Sequence, residues 1–255
     1  MYLDFHRANP AHAAMLKGHP RSLTLLDFGQ FLVNEPSRMI RIMGALVKTD
    51  AEETILIDTG FPAKYARDRA AAAEEDGLGS FGALVAHGPE NTIAGQLELL
   101  GEDKIDLLLM THTHIDHVGG LAEFPGVPIV IGAGERALEK PLYFNDAQPM
   151  DWPDAEYRVI DQDVSIGPGF DLYYVPGHSP GLFCARIALP GAGRLLYLGD
   201  AISRESEPGE GFPGAWNLEL AAHHARRLMA LDYDFMIYGH DPDQGLRLPF
   251  GRAVT

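Results

Sequence analysis

The sequence predicts an α/β fold in which two β-sheets pack face to face with helices on the outside. Two observations predict it. Strand-like segments fall into two groups, one in each half of the chain, and helical segments follow each group. No interdomain linker or low-complexity tract separates the halves, so residues 1–255 read as one domain. With 46% of its residues apolar, a chain of this length can bury a substantial core.

Along the chain, 22–33 (SLTLLDFGQFLV) and 40–48 (IRIMGALVK) read as strands joined by a polar turn at 34–38. A third strand over 54–57 runs into Asp58-Thr59-Gly60, completing an antiparallel meander. Segment 63–75 is rich in alanine and charge and reads as a helix ending near Gly77. A glycine-containing stretch, 77–88, leads to a second helix over about 91–100. The short apolar strand 105–110 ends at Thr111 and is followed by a helical turn at 118–124 and a strand at 127–131. Segment 139–152 has aromatics and prolines without a period and reads as a loop or insert. The second half carries strands at about 170–175, 183–188 and 195–198, then a Gly-, Glu- and Pro-rich loop at 205–214. A helix over 217–231 precedes a last strand over 235–238.

The net charge is −16, from 20 basic and 36 acidic side chains. A field of that sign repels phosphate backbones and anionic lipid, which argues against nucleic acid or membrane as a main partner. Cys184 is the only cysteine, excluding an intrachain disulfide and any cysteine-based zinc cluster. Residues 1–20 mix charged, histidine and proline residues and do not read as a signal peptide. No apolar run approaches bilayer-spanning length, and a cytoplasmic location is expected.

The chemistry concentrates in Thr111-His112-Thr113-His114-Ile115-Asp116-His117-Val118-Gly119-Gly120. Imidazole and carboxylate suit zinc, iron or manganese, and a strand end followed by a turn can aim such side chains into one cavity. His112 and His114, two apart, point the same way on an extended backbone, and Asp116 and His117 lie past the bend, placed for a second ion. Three more signals sit at strand ends: His178 in Pro176-Gly177-His178-Ser179-Pro180-Gly181, Asp200 in Leu198-Gly199-Asp200, and His240 in Tyr238-Gly239-His240-Asp241. A lone histidine or aspartate after a strand is more often a cap. Together these supply the missing ligands of a two-metal site.

This pattern resembles the metallo-β-lactamase superfamily, whose His-x-His-x-Asp-His motif stands here as His112, His114, Asp116 and His117. The order of the remaining family ligands matches His178, Asp200 and His240, and Asp58 matches an early-strand aspartate that supports the metal ligands. The resemblance runs from about Thr54 to His240. It implies an αββα sandwich of two mixed β-sheets with the site at one edge. It also implies that His112, His114 and His178 hold one divalent metal ion, that Asp116, His117 and His240 hold the other, and that Asp200 bridges them. Zinc is the expected metal, and the ligands also accept iron, cobalt or manganese. Two such cations lower the pKa of a shared water, and the resulting hydroxide would attack a carbonyl or phosphoryl centre. Asp116 is the candidate catalytic residue, orienting the nucleophile and carrying a proton to the leaving group.

Within the superfamily, Gly239-His240-Asp241-Pro242-Asp243-Gln244 resembles the ending common in N-acyl homoserine lactonases, and Pro176–Gly181 fits them too. Only fifteen residues follow His240, too few for the helical extension of glyoxalase II-like thioesterases, and the large insert of the RNA-processing branch is missing. Secreted β-lactamases need an export signal, and flavodiiron proteins have a glutamate at the position of His114. The implied function is therefore ring opening of a lactone, first of all an N-acyl homoserine lactone (quorum quenching). Similar lactonases include homodimers. One departure is Ser203, three residues after Asp200, where those lactonases carry a tyrosine that contacts the lactone carbonyl. A tyrosine from the insert, such as Tyr143, is a candidate replacement, and Leu142, Tyr143, Phe144 and Trp152 are candidates for an apolar acyl groove. His87 is a weaker candidate from a loop, and His6, His12, His19, His223 and His224 receive no role.

Four rival functions stand beside this one. The same metals could serve a hydrolase of another lactone or cyclic ester. A phosphodiesterase would favour a cationic pocket, yet the loop 204–214 is acidic apart from Arg204. A mono-iron sulfur dioxygenase shares the first three histidine-type ligands. A binding protein without turnover would be expected to have lost some of the seven ligand positions.

Overall fold

The computed structural model describes residues 15–255; His6, His12 and most of the 1–20 segment lie outside the described residues. Strands β1 (Pro20–Val33), β2 (Arg38–Thr49) and β3 (Thr54–Ile57) form the antiparallel meander expected from the sequence. Helices α1 (Lys64–Arg67) and α2 (Arg69–Asp76) follow, then β4 (Gly82–Ala86), which pairs with β1, and α3 (Ile93–Leu100). Strands β5 (Leu107–Met110), β6 (Ile129–Gly132) and β7 (Tyr157–Ile160) extend the sheet in parallel, with the short α4 (Ile115–Val118) and α5 (Ala133–Arg136) between them.

The second sheet holds β8 (Val164–Gly167), β9 (Phe170–Tyr174), β10 (Phe183–Leu189) and β11 (Gly193–Gly199), antiparallel in turn. After α6 (Glu207–Glu210) and α7 (Leu218–Met229), β12 (Phe235–Tyr238) joins β11 in parallel, so both sheets are mixed. Beyond α8 (Gln244–Arg247), β13 (Ala253–Val254) returns to β1 and closes the first sheet.

Alternation along the strands builds the layers. Leu107 and Leu109 of β5 join Phe183, Ala185 and Ile187 of β10 in the core between the sheets. Leu108 and Met110, pointing the other way, meet Tyr65 and Ile93 beneath the first helical layer. Cys184, Leu196 and Leu198 face outward from the second sheet onto Ala221, Ala225 and Leu228 of α7. The result is the αββα sandwich that the sequence predicted.

Local chemistry refines the predicted elements. The helix expected over 63–75 breaks at Asp68, which is extended (φ −145°, ψ 93°) and caps α2 by accepting from the Ala71 N–H. Gly77 ends α2 in the left-handed region at φ 66°. β1 carries a bulge between Asp27 and Gln30, where Gly29 has φ +100° and a Cβ would stand 2.2 Å from the Ala86 carbonyl oxygen of β4. β4, β7, β8 and β13 are additions to the predicted strands; β4, for instance, leaves three of its five residues exposed and so lacks an apolar run. Among the described residues no helix is long and apolar enough to cross a membrane.

Candidate metal centre

Every candidate ligand lies at one edge of the sandwich, on a segment that follows the end of a strand. His112 and His114 follow β5, Asp116 and His117 occupy α4, His178 sits between β9 and β10, Asp200 follows β11, and His240 follows β12. The fold converges them in three overlapping sets: His112, His114 and His178; His112, His117 and Asp200; and Asp116, His117 and His240, with donor atoms within 4.8 Å in each set.

His114 Nδ1 lies 3.0 Å from both His112 Nε2 and His178 Nε2. On the other side, His240 Nε2 is 3.5 Å and His117 Nε2 3.7 Å from Asp116 Oδ2. Asp200 stands between the two groups, with Oδ2 3.2 Å from His178 Nε2 and 3.0 Å from His240 Nε2, and Oδ1 3.3 Å from His117 Nε2. Donor atoms around one zinc ion, at about 2.0–2.1 Å from it, stand about 3.4 Å apart, so this spacing fits metal ligation. His117 Nε2 and Asp200 Oδ1 are buried without a hydrogen-bond partner, which a cation would satisfy.

The far sides of the His117 and His240 rings are already engaged. His117 Nδ1 donates to Asp58 Oδ2 at 2.9 Å, and His240 Nδ1 donates to the Arg41 carbonyl at 2.9 Å. Such bonds fix the tautomer and leave Nε2 as the metal-facing atom. Asp58 is fully buried at φ 59° and also accepts from the Thr111 backbone N–H at 2.9 Å.

Burial pushes His112 well below its ordinary pKa, aided by the neighbouring imidazoles; it also lowers His114, and takes His178 to about 4. Burial opposes protonation of His240 too, but Asp200 and Asp116 outweigh it and lift that ring to about 9. Asp116, Asp200 and Asp58 likewise raise His117 against the cost of burial. Asp200, although buried, is held well below the carboxylate range by His240, His117 and His178. Carboxylates and imidazoles in this arrangement are ready to exchange protons for cations.

Two buried networks brace the loops. Glu135, fully buried, accepts from the Thr113 N–H at 3.1 Å, the Thr113 hydroxyl at 2.5 Å and the Gly181 N–H at 3.0 Å, tying the His112–His114 segment to the His178 loop. Tyr143 accepts from the Ile115 N–H at 2.9 Å and donates its own N–H to Thr113 O at 2.8 Å.

A cavity of about 360 Å³ opens beside the ligands. His114, Asp116, His178, Asp200 and His240 line it, together with Ser203, Tyr143 and Phe144 as expected. The structure corrects four candidates. Trp152 is not among the lining residues; its indole N–H donates to Leu138 O and its ring packs on Tyr157 and Arg136. Leu142 is also outside the lining. The Tyr143 hydroxyl donates to Asp76 Oδ2 at 3.0 Å, sharing that carboxylate with Tyr65 and Lys64, so it does not replace the missing tyrosine. His87 is buried away from the cavity and bonds the Phe28 carbonyl through Nδ1.

The apolar wall comes instead from Phe31, Val33, Ile40, Phe61 and Phe81, and Arg38 and Glu207 add polar groups. Sequence reasoning passed over these: Arg38 read as part of a polar turn, and an inward phenylalanine of β1 looks like any core residue. The alternation that puts Arg38 and Ile40 on one face of β2 was the available signal.

The family model described as the metallo-beta-lactamase superfamily matches residues 45–240. An N-acyl homoserine lactonase of Bacillus thuringiensis is 31% identical over 214 residues, covering 78% of this chain and 80% of its own length. One of Bacillus cereus is 30% identical over 210 residues, covering 78% and 80%. Among solved structures, an N-acyl homoserine lactone hydrolase with N-hexanoyl-L-homoserine bound at its catalytic metal centre superposes with a TM-score of 0.78. It is 22% identical, over 92% of this chain and 100% of its own.

Proposed function

The chain belongs to the metallo-beta-lactamase superfamily and is a metal-dependent hydrolase; from that premise we propose that it opens the ring of N-acyl homoserine lactones with two metal ions, zinc first among the candidates. The observation that carries the reading is Asp200, within 3.3 Å of imidazoles from both ligand groups, at the floor of a cavity with an aromatic wall. Two cations held there would supply a water of lowered pKa and polarise a carbonyl.

The protein's own groups do the rest. His112, His114 and His178 would hold one ion and Asp116, His117 and His240 the other, with Asp200 placed to reach both. Asp116 lines the cavity and can meet substrate, so it orients the attacking water and carries its proton to the departing ring oxygen. Phe31, Phe61, Phe81 and Phe144 give an acyl chain an apolar surface on which to leave water. Ser203 occupies the family tyrosine position; its carbonyl accepts from the His240 N–H at 2.8 Å, so it braces that ligand.

The test is acid release from short- and long-chain N-acyl homoserine lactones by zinc- or manganese-loaded protein, alongside bis(p-nitrophenyl) phosphate. Metal-dependent ring opening supports the reading. Turnover of the phosphodiester alone would replace it with a phosphodiesterase, and turnover of neither would move the search to other cyclic esters.

A further inference from the structure

The cavity contains a cation that no part of the metal centre uses. Arg38 lines the wall from β2, on the same strand face as Ile40. Three residues on, the Arg41 carbonyl accepts from His240 Nδ1 at 2.9 Å. At about 3.3 Å per residue, the Arg38 backbone therefore stands roughly 10 Å from that anchor, and a long side chain covers much of the difference.

Among the described residues the guanidinium makes no hydrogen bond, and Glu207 and Glu210 attract it only from beyond ion-pair distance while Arg204 repels it. Its Nε is buried without a hydrogen bond, and among the described residues Arg38 forms no ion pair. The neighbouring carboxylates are committed elsewhere. Glu210 pairs with Arg204, and Glu207 accepts from the Ser203 N–H while its other oxygen lies 3.7 Å from Arg204. Glu35 also lines the cavity but is exposed and makes no ion pair with Arg38. A buried donor left without an acceptor is costly, and the wall residues beside it on β1 and β2, Val33 and Ile40, carry no side-chain acceptor. An acceptor carried by what enters the cavity would satisfy it.

We propose that Arg38 is a specificity-determining residue that binds a carbonyl-type oxygen on the acyl side of the substrate, so that the cavity prefers lactones whose chain carries a ketone or carboxylate. This rests on the lactonase reading above and narrows its substrate class. The planar fork of an arginine suits such oxygens, and the surrounding aromatic wall strengthens the bond by excluding water.

The experiment compares kcat/KM of the metal-loaded enzyme on three homoserine lactones of equal chain length, bearing octanoyl, β-ketooctanoyl or ω-carboxyheptanoyl groups. One or both oxygen-bearing substrates should be preferred by about 10- to 100-fold, expressed in KM, and which of them wins tells ketone from carboxylate. Arg38→Met should bring the ratio close to one, and Arg38→Lys should restore it in part. Metal content and the thermal midpoint of each variant verify folding; should Arg38→Met not fold, the wild-type ratio and Arg38→Lys decide. Equal kcat/KM on all three in the wild type, or a preference that survives Arg38→Met, would overturn the assignment while leaving the lactonase intact. Ring opening of none of the three would remove the lactonase reading and this inference with it.

Discussion

Replacing Asp58 by asparagine preserves shape and changes only which donors can be satisfied. In the wild type, Oδ1 accepts from the Thr111 N–H at 2.9 Å, and Oδ2 accepts from His117 Nδ1 at 2.9 Å. An amide that keeps its oxygen on Thr111 presents its NH2 to His117. The ring must then accept at Nδ1, which moves its proton to Nε2, the atom 3.3 Å from Asp200 and 3.7 Å from Asp116. That proton blocks ligation until it is lost. Removing such support for a metal-bound histidine costs about 10- to 100-fold in metal affinity, or about 1.4–2.8 kcal/mol. The assay is competition with a chromophoric chelator, run beside thermal unfolding of the metal-free protein. Asp58→Asn should bind metal more weakly by that factor while the metal-free midpoint moves little. Wild-type affinity in the variant would refute the role given to Asp58.

Three further outcomes follow from the same structure. Glu135→Ala strands the buried Thr113 and Gly181 N–H groups, and denaturant unfolding should show a loss of about 2–6 kcal/mol; an unchanged midpoint would contradict it. Asp116→Asn should lower kcat by about 10²–10⁴-fold with little change in KM, provided that metal content is retained; steady-state kinetics on a lactone decide this. Burial, then Arg227 and His223, push His224 down to about 4 from an ordinary 6.5. The unfolded chain binds that proton more readily, so the stability tied to neutral His224 is complete above the ordinary value and is lost as pH falls toward the folded one. His224→Gln should therefore flatten the acid-side decline of the metal-free protein between those two pH values, and an unaltered slope would contradict the shift.

The convergence of the candidate ligands was legible in the sequence because their chemistry is stringent: few structural roles require His112, His114, Asp116 and His117 together at a strand end. The strands of both cores were legible for a related reason, since residues buried on both faces leave continuous apolar runs such as Leu107–Met110. Elements without such runs were not. β4 leaves most of its residues exposed, and the break at Asp68 depends on one side chain capping the next helix rather than on any change in composition.

The cavity wall was the least legible part. An aromatic in an irregular segment carries no mark of the face it will cover, so Trp152 read as groove and packs instead on Tyr157 and Arg136. Arg38 read as turn, and only the pairing of β1 with β2 and the approach of β2 to His240 bring it beside the metal centre. Glu135 is a lone acid in a short helix whose importance comes from Gly181, forty-six positions away.

The most direct test of the two-metal account is the number of ions per chain, measured by elemental analysis on wild-type protein and on His240→Ala and His178→Ala. Two divalent ions are expected in the wild type and one after either substitution, with lactone turnover falling in both variants. A wild-type protein that holds a single iron, unaffected by His240→Ala, would contradict the two-metal reading and favour a mononuclear oxygenase.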